Sequence, residues 1–269
     1  ASSNWNTKLL TAERLARACA SDGVTLNDAG GGRVNLFAAR AGVLKVNVDA
    51  LRQVNSIDGL TIATIKPHSL VAAKKMLATI KVIPFAIPEA DLARAESICR
   101  EADGIIGVRA LIPTRVAVIL TGSAPARQRV VNSLMPAIRS RVEECGSEVI
   151  NMEYIEAESA LIAEAIGRAR DAGAGLIIIA GETSIMDVAD VTPQGIVRAG
   201  GRIEHYGAPV EPGNLFLLAY LDAVPVIGAP GCVRSRDINI VDLVLPRLLS
   251  GERVGRADII ALGEGGLLI

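Results

Sequence analysis

Apolar positions along this chain fall into two textures. From residue 115 onward, short continuous runs alternate with stretches of helical period. "RVAVILTG", "EVINMEYI", "GLIIIAG" and "VPVIGAPG" read as strands, the unbroken ones as strands covered on both faces. Between them, "SAPARQRVVNSLMPAIRSRVEECG" places Val131, Leu134, Ile138 and Val142 three and four residues apart, which predicts a helix with a kink at Pro136. "EAESALIAEAIGRARDAG" repeats the pattern through Ala157, Leu161, Ala165 and Ala169, with Glu164 four residues before Arg168. A short helix is expected near "TPQGIVRAGG", extended pieces at "RIEHYGAPV" and "NLFLLAYL", and a last helix near "DINIVDLVLPRLLSGE". Strand–helix alternation with short links predicts an α/β domain, a three-layer α/β/α arrangement around a mostly parallel sheet.

Before residue 113 the pattern is mixed. Helices are expected at "TAERLARACASDG" and "EADLARAESICREADG", with shorter apolar runs at "GVLKVN", "SLVAAKKMLATIKVIPFAIP" and "IIGVRAL". The tract "NDAGGGRVN" lies between no clear strand and no clear helix and reads as a flexible linker. The expected division is therefore a smaller α+β region over residues 1–112, a lid or an interface, and an α/β/α domain over 113–269.

In α/β sheets, ligands bind outside the carboxyl ends of the strands. Three such ends carry glycine turns here: "LTGS" (120–123), "AGETS" (180–184) and "GAPGC" (228–232). Each delivers the chain toward a helix, whose first N–H groups can seat an anion. Thr121, Ser123, Thr183, Ser184 and Ser235 add hydroxyls, and Arg234 and Arg236 stand nearby as anion clamps. The same residue types also cap helices and build turns, so each turn taken alone has a structural reading. Asp187 and Asp190 follow the second turn, three residues apart. Beside an anion seat, two carboxylates suit Mg²⁺ held jointly with ligand phosphates. Asp190 also has a plainer reading at a helix start, with Thr192 as N-cap and Pro193 at the first helical position.

Composition removes several alternatives. Half of the 269 residues are hydrophobic and 3% aromatic, so Ala, Val, Ile and Leu build the core. No apolar run nears the roughly 18 residues of a membrane span. Residues 1–112 carry 14 Lys and Arg against 10 Asp and Glu, and residues 113–269 carry 14 against 19, the last lysine being Lys81. That balance, with few aromatics, argues against a nucleic-acid surface. The N-terminal "ASSNWNTKLL" lacks the layout of a signal peptide. Cys19, Cys99, Cys145 and Cys232 form no CxxC pair, and a cytoplasmic setting is expected. Cys232, in a strand-end turn, is either a thiol activated by a helix terminus or a small residue fitted to the turn. His68 and His205 lie far apart and are read as surface or packing residues, as Glu153, Glu156 and Glu158 are read as a solvated loop and helix start.

Four segments, in order, resemble the molybdopterin-binding superfamily of molybdenum cofactor biosynthesis. "RVAVILTGS" with "VVNSLMPAI" is similar to its first strand and helix, through Thr121, Gly122, Asn132 and Ser133. "GLIIIAGETSIMDVADVTPQGI" resembles its Gly-turn, hydroxyl and Asp signature, with Asp190, Val191, Thr192 and Pro193 matching D-V-T-P. "APVEPGNLFLLAYLDAVPVIGAPGCVRS" resembles a later segment of the molybdenum-insertion enzymes, matching at Pro212, Gly213, Gly228, Pro230 and Gly231. The resemblance implies that molybdopterin, or its adenylylated form, is ligand or substrate. It implies a cofactor site of Thr121, Gly122, Ser123, Gly181, Glu182, Thr183, Ser184, Pro212, Gly213, Gly231, Arg234 and Ser235. Asp187 and Asp190 would serve catalysis and Mg²⁺, in adenylyl transfer or molybdate insertion. It further implies a homo-oligomer, with partners among molybdoenzymes or other cofactor-biosynthesis proteins. Glu182, Asn214 and Cys232 stand where the family has Gly, Lys and Asn, which favours a non-catalytic carrier or sensor as the alternative. A CinA-like hydrolase of nucleotide metabolites shares the fold and is the third reading.

Overall fold

The computed structural model describes residues 5–268, so the first four residues of the polar N-terminal stretch lie outside it. The chain forms two compact units that divide between Leu111 and Ile112.

In the first unit, an antiparallel sheet takes the order Val24–Gly30, Arg33–Ala38, Met76–Val82, Leu60–Thr64. A smaller sheet joins Leu70–Val71, Gly42–Val46 and Ile106–Ala110. Helices Lys8–Cys19 and Glu89–Glu101 pack together, and Leu15, Leu36, Leu77, Ile80 and Leu92 fill the core. The expected helices are present, but the glycine tract is no linker. Gly31 and Gly32 form the turn of a hairpin in which Gly30 pairs with Arg33. Gly30, Gly31 and Gly32 all have φ between 63° and 78°, the left-handed region that glycine enters at no steric cost. Asp28 Oδ1 accepts the Gly30 N–H at 2.8 Å and steadies the turn. Helix Val48–Asn55 and strand Leu60–Thr64, neither anticipated, belong to this unit, and a short antiparallel pair, Trp5–Thr7 with Ala86–Pro88, completes it.

The second unit supplies the labels used below: β1 (Arg115–Thr121), α1 (Arg127–Glu144), β2 (Glu148–Ile155), α2 (Ser159–Asp171), β3 (Leu176–Gly181), α3 (Val191–Arg198), β4 (Arg202–Tyr206), β5 (Leu217–Leu221), β6 (Val224–Gly228), α4 (Ile240–Leu249) and α5 (Arg256–Ala261). The sheet order is β2-β1-β3-β6-β5-β4. Its first three pairings are parallel and the two involving β5 antiparallel. Both faces of the central strands are buried. Ala117, Ile119, Ile177 and Ile179 meet Ile162, Ile166 and Ile196 of α2 and α3. Val116, Val118, Leu120 and Ile178, equally buried, point to the opposite face, as period-2 alternation requires. There α1 offers Val130, Leu134, Ile138 and Val142; the buried stripe begins at Val130 rather than Val131. α1 runs through Pro136 as one continuous helix. The fold is the expected α/β/α sandwich, with α5 as an unforeseen last helix.

β4 also carries a buried titratable group. His205 is 8% exposed, and the Arg256 guanidinium lies 3.1 Å from its Nδ1. Burial, then the Arg256 charge, press its pKa below the ordinary value. The unfolded chain takes a proton near pH 6.5 that the folded chain resists. Stability from this group is therefore present above that pH and lost as pH falls through it. The urea midpoint is expected to decline between about pH 7.5 and 5.5, with a shallower slope in His205→Gln. An equal slope in both proteins would refute this assignment.

Candidate functional site

The parallel register puts the three glycine turns side by side. Thr121 of β1 pairs with Gly181 of β3, and Ile179 of β3 pairs with Gly228 of β6. The Ala229 N–H donates to the Ile179 carbonyl at 2.8 Å, carrying that pairing one residue into the third turn. A Cβ on Gly181 would come within 2.5 Å of Thr121 Oγ1, so only glycine fits between the first two turns.

Side chains then tie the turns together. The Ser123 N–H and Oγ–H donate to Glu182 Oε2 at 3.0 and 2.9 Å, and Arg129 Nη2 donates to Glu182 Oε1 at 2.5 Å. The Tyr154 hydroxyl donates to the Ser123 carbonyl at 2.7 Å, and the Arg127 guanidinium lies 5.7 Å from the Tyr154 ring centre. Ser184 Oγ accepts the Gly231 N–H at 3.0 Å and so joins the second turn to the third. Arg234 Nε donates to the Gly231 carbonyl at 2.8 Å. Arg129 and Ser133 of α1, Gly181 and Glu182 of the second turn, and Arg234 line a cavity of about 120 Å³.

The N–H groups expected to seat a phosphate are largely engaged. Gly122 N–H donates to the Ile155 carbonyl, Glu182 N–H to the Thr121 carbonyl, and Ser123 N–H to the Glu182 carboxylate. That carboxylate is held below the usual range by the Ser123 backbone donor, then by its hydroxyl and by Arg129. The Tyr154 phenol is raised by burial and by Glu182.

Asp187 and Asp190 sit in the loop that follows. Asp190 Oδ2 accepts the Met186 and Asp187 N–H groups at 2.6 and 3.1 Å, and Asp187 Oδ1 accepts the Ala189 N–H at 2.7 Å. Asp190 is the N-cap residue of α3, so Thr192 and Pro193 fall inside the helix rather than at its start. Its side chain turns back into the loop because the N–H groups of 186 and 187 need an acceptor. The Tyr206 hydroxyl, donating to the Ile185 carbonyl at 2.9 Å, holds the same loop from β4. Among the described residues, no three or more His, Cys, Asp or Glu gather as a metal site.

Other expected residues lie apart from the cavity lining. The Pro212 carbonyl accepts the Ile240 N–H, and a Cβ on Gly213 would strike Ile240 Cγ2 at 2.4 Å, so this turn seats the start of α4. Ser235 Oγ donates to Asp237 Oδ2, and its carbonyl accepts from Arg141, a buried arginine also paired with Asp242. Arg236 lines a separate pocket with Arg141 and Asp242. Thr183 is exposed. The Cys232 thiol is pushed up by burial, which favours the inert reading of that residue. Sequence reasoning passed over Tyr154, Arg129 and Tyr206. Tyr154 carried a usable signal: it is the penultimate residue of β2, at the same carboxyl edge as the three turns.

A family model described as "Probable molybdopterin binding domain" matches residues 117–250. The second unit belongs to that family. Among solved structures, the chain is similar to the molybdopterin biosynthesis MoeA protein of Pyrococcus horikoshii, at 16% identity and TM-score 0.39, over 91% of this chain and 79% of that one. It is also similar to the molybdopterin biosynthesis enzyme MoaB of Thermus thermophilus, at 17% identity and TM-score 0.39, over 52% of this chain and 98% of that one. A third likeness, to the protein CinA of Thermoplasma acidophilum, has 16% identity and TM-score 0.38, over 44% of this chain and 88% of that one. No curated protein matches. The family assignment rests on the 117–250 match, since likenesses this remote add no weight. Among the described residues, no helix is long and apolar enough to cross a membrane.

Proposed function

We propose that the second unit binds molybdopterin, or its adenylylated form, at the edge made by the three turns, in a protein of molybdenum cofactor metabolism. The observation that carries this reading is the joining of three separate strand ends by side chains, Ser123 to Glu182 and Ser184 to Gly231, beside a cavity that Glu182 lines in a domain of this family. Glycine at 181 brings two backbones close, and Arg129 and Arg234 supply positive charge beside the cavity. Ser123, Ser184 and the arginines would hold the polar groups of the ligand, with Tyr154 offering a ring at the rim.

Asp187 and Asp190 have one oxygen each committed to loop N–H groups. With no larger group of protein ligands among the described residues, a Mg²⁺ there would depend on ligand phosphates for the rest of its shell. A specific observation favours a second reading, binding without chemistry: the carboxylate of Glu182 fills the donors of the first turn, and both aspartates already serve the loop.

Equilibrium dialysis with molybdopterin, with and without Mg²⁺, tests the assignment. Saturable binding is expected, lost in Gly181→Val because its side chain would collide with Thr121, and weakened in Ser184→Ala. Absence of binding by the wild-type protein would refute it. Mg²⁺-dependent release of pyrophosphate from ATP as AMP passes to bound molybdopterin, abolished in Asp187→Asn and Asp190→Asn with binding kept, would assign adenylyl transfer. Binding with no turnover would assign the carrier.

A further inference from the structure

The first turn already holds an anion, and it belongs to the chain itself. One carboxylate, that of Glu182, gathers the Ser123 N–H, the Ser123 hydroxyl and the Arg129 guanidinium, at 3.0, 2.9 and 2.5 Å. An amide N–H, a hydroxyl and a guanidinium converging on oxygen form the donor set that a phosphate or carboxylate of a ligand would use. The seat is braced from below, because the Tyr154 hydroxyl fixes the Ser123 carbonyl at 2.7 Å. It is also closely fitted. A Cβ on Gly122 would meet Tyr154 Oη at 2.6 Å and Glu182 Cβ at 2.9 Å. The donors hold the carboxyl below its ordinary range, in its ionised form. Glu182 keeps 27% of its side-chain surface exposed and lines the 120 Å³ cavity, so it has room to leave.

We propose that Glu182 is a resident competitor: it occupies the anion seat of the first turn until a ligand displaces it, and thereby excludes small free anions from the site. The proposal rests on reading the strand ends as the ligand site. Its physical basis is tethering. A carboxylate joined to Gly181 by one peptide bond presents itself at an effective concentration of millimolar order or above. A phosphate approaching the occupied seat also meets like charge at close range. Inorganic phosphate brings only charge and cannot offset both terms. A larger ligand that adds contacts at Ser184, Arg234 and Tyr154 can. Glu182 is thus a specificity-determining residue, selecting ligands by what they carry besides their anionic group.

Isothermal titration of the full chain with inorganic phosphate, and separately with molybdopterin, tests this in the wild type, Glu182→Ala, Glu182→Gln and Glu182→Ala/Arg129→Ala. Circular dichroism must first show each variant folded; the Gln variant keeps the size of the side chain and removes only its charge. Phosphate affinity is expected to rise by on the order of tenfold in the Ala variant, by less in the Gln variant, and to fall back when Arg129 is also removed. Unchanged phosphate affinity in both single variants would overturn the proposal, and so would a gain that survives loss of Arg129. A phosphate gain with no molybdopterin binding by any protein keeps the proposal and removes the ligand assignment. Molybdopterin binding that is equal in wild type and Glu182→Ala, with phosphate affinity unchanged, does the reverse.

Discussion

Replacing Arg247 by Met should destabilise the second unit by about 3–5 kcal/mol. Arg247 is 1% exposed on α4, and its Nη2 donates to Glu252 Oε1 at 2.8 Å and to Asp258 Oδ1 at 2.6 Å. Asp258 Oδ2 in turn accepts the Gly255 N–H at 2.8 Å and caps α5. Met keeps much of the buried volume, so the loss isolates the charge. The Glu252 carboxylate, 11% exposed, would remain in a low-dielectric setting without its guanidinium, and Asp258, 38% exposed, would lose its partner nearer to water. Urea denaturation followed by circular dichroism reads the loss directly. The triple variant Arg247→Met/Glu252→Gln/Asp258→Asn should recover a large share of it, because removing all the charges removes the desolvation problem as well. A loss in Arg247→Met within the 0–1 kcal/mol range, roughly that of a surface ion pair, would contradict this account.

Gly195→Val is the second large effect, expected to cost about 3 kcal/mol by overpacking. Gly195 lies where α3 crosses α2, and a Cβ there would come within 2.6 Å of Ile162 Cγ2 and 3.0 Å of the Ser159 carbonyl. Neither neighbour is the free end of a flexible chain, so the helices must separate. The separation would carry Asp190 with it, since that residue caps α3 and holds the 186–190 loop, and ligand binding should weaken along with stability. Gly167→Ala on α2 is the control. Nothing lies within 4 Å of its added Cβ, and helix propensity predicts a gain of up to about 1 kcal/mol. Similar losses in both variants would show that steric contact at 195 is not the cause.

How far the sequence revealed this molecule depended on where each signal resides. β1 and β3 were legible because burial on both faces forces continuous apolar runs, and their carboxyl ends followed from that. The hairpin Val24–Ala38 was not, because Val24–Gly30 is almost wholly exposed and shows no alternation. Its glycines were read for their freedom, whereas the fold uses their handedness. The three turns of the site were visible as local patterns of Gly, Ser and Thr. What joins them was not, since Arg129 and Ser123 reach Glu182 across 53 and 59 residues. Glu182 stood out as an anion in an anion's place, while its partners emerged only from the fold. The Asp190 reading missed by two residues at the start of α3 because D-V-T-P offers two capping residues, and the loop's own N–H groups decide between them.

The sparse aromatic content has an optical consequence. The single tryptophan, Trp5, belongs to the first unit and is 58% exposed, whereas Tyr154, Tyr206 and Tyr220 all lie in the second. Emission excited at the red edge of the indole band therefore reports on the first unit alone. Phenol absorbance reports on the second, through hydroxyls that each donate to a carbonyl, of Ser123, Ile185 and Val254. Two of those carbonyls belong to the strand-end turn and loop. The tyrosine component of the near-ultraviolet spectrum is thus a label-free gauge of the second unit, and the two units can be watched separately as they unfold.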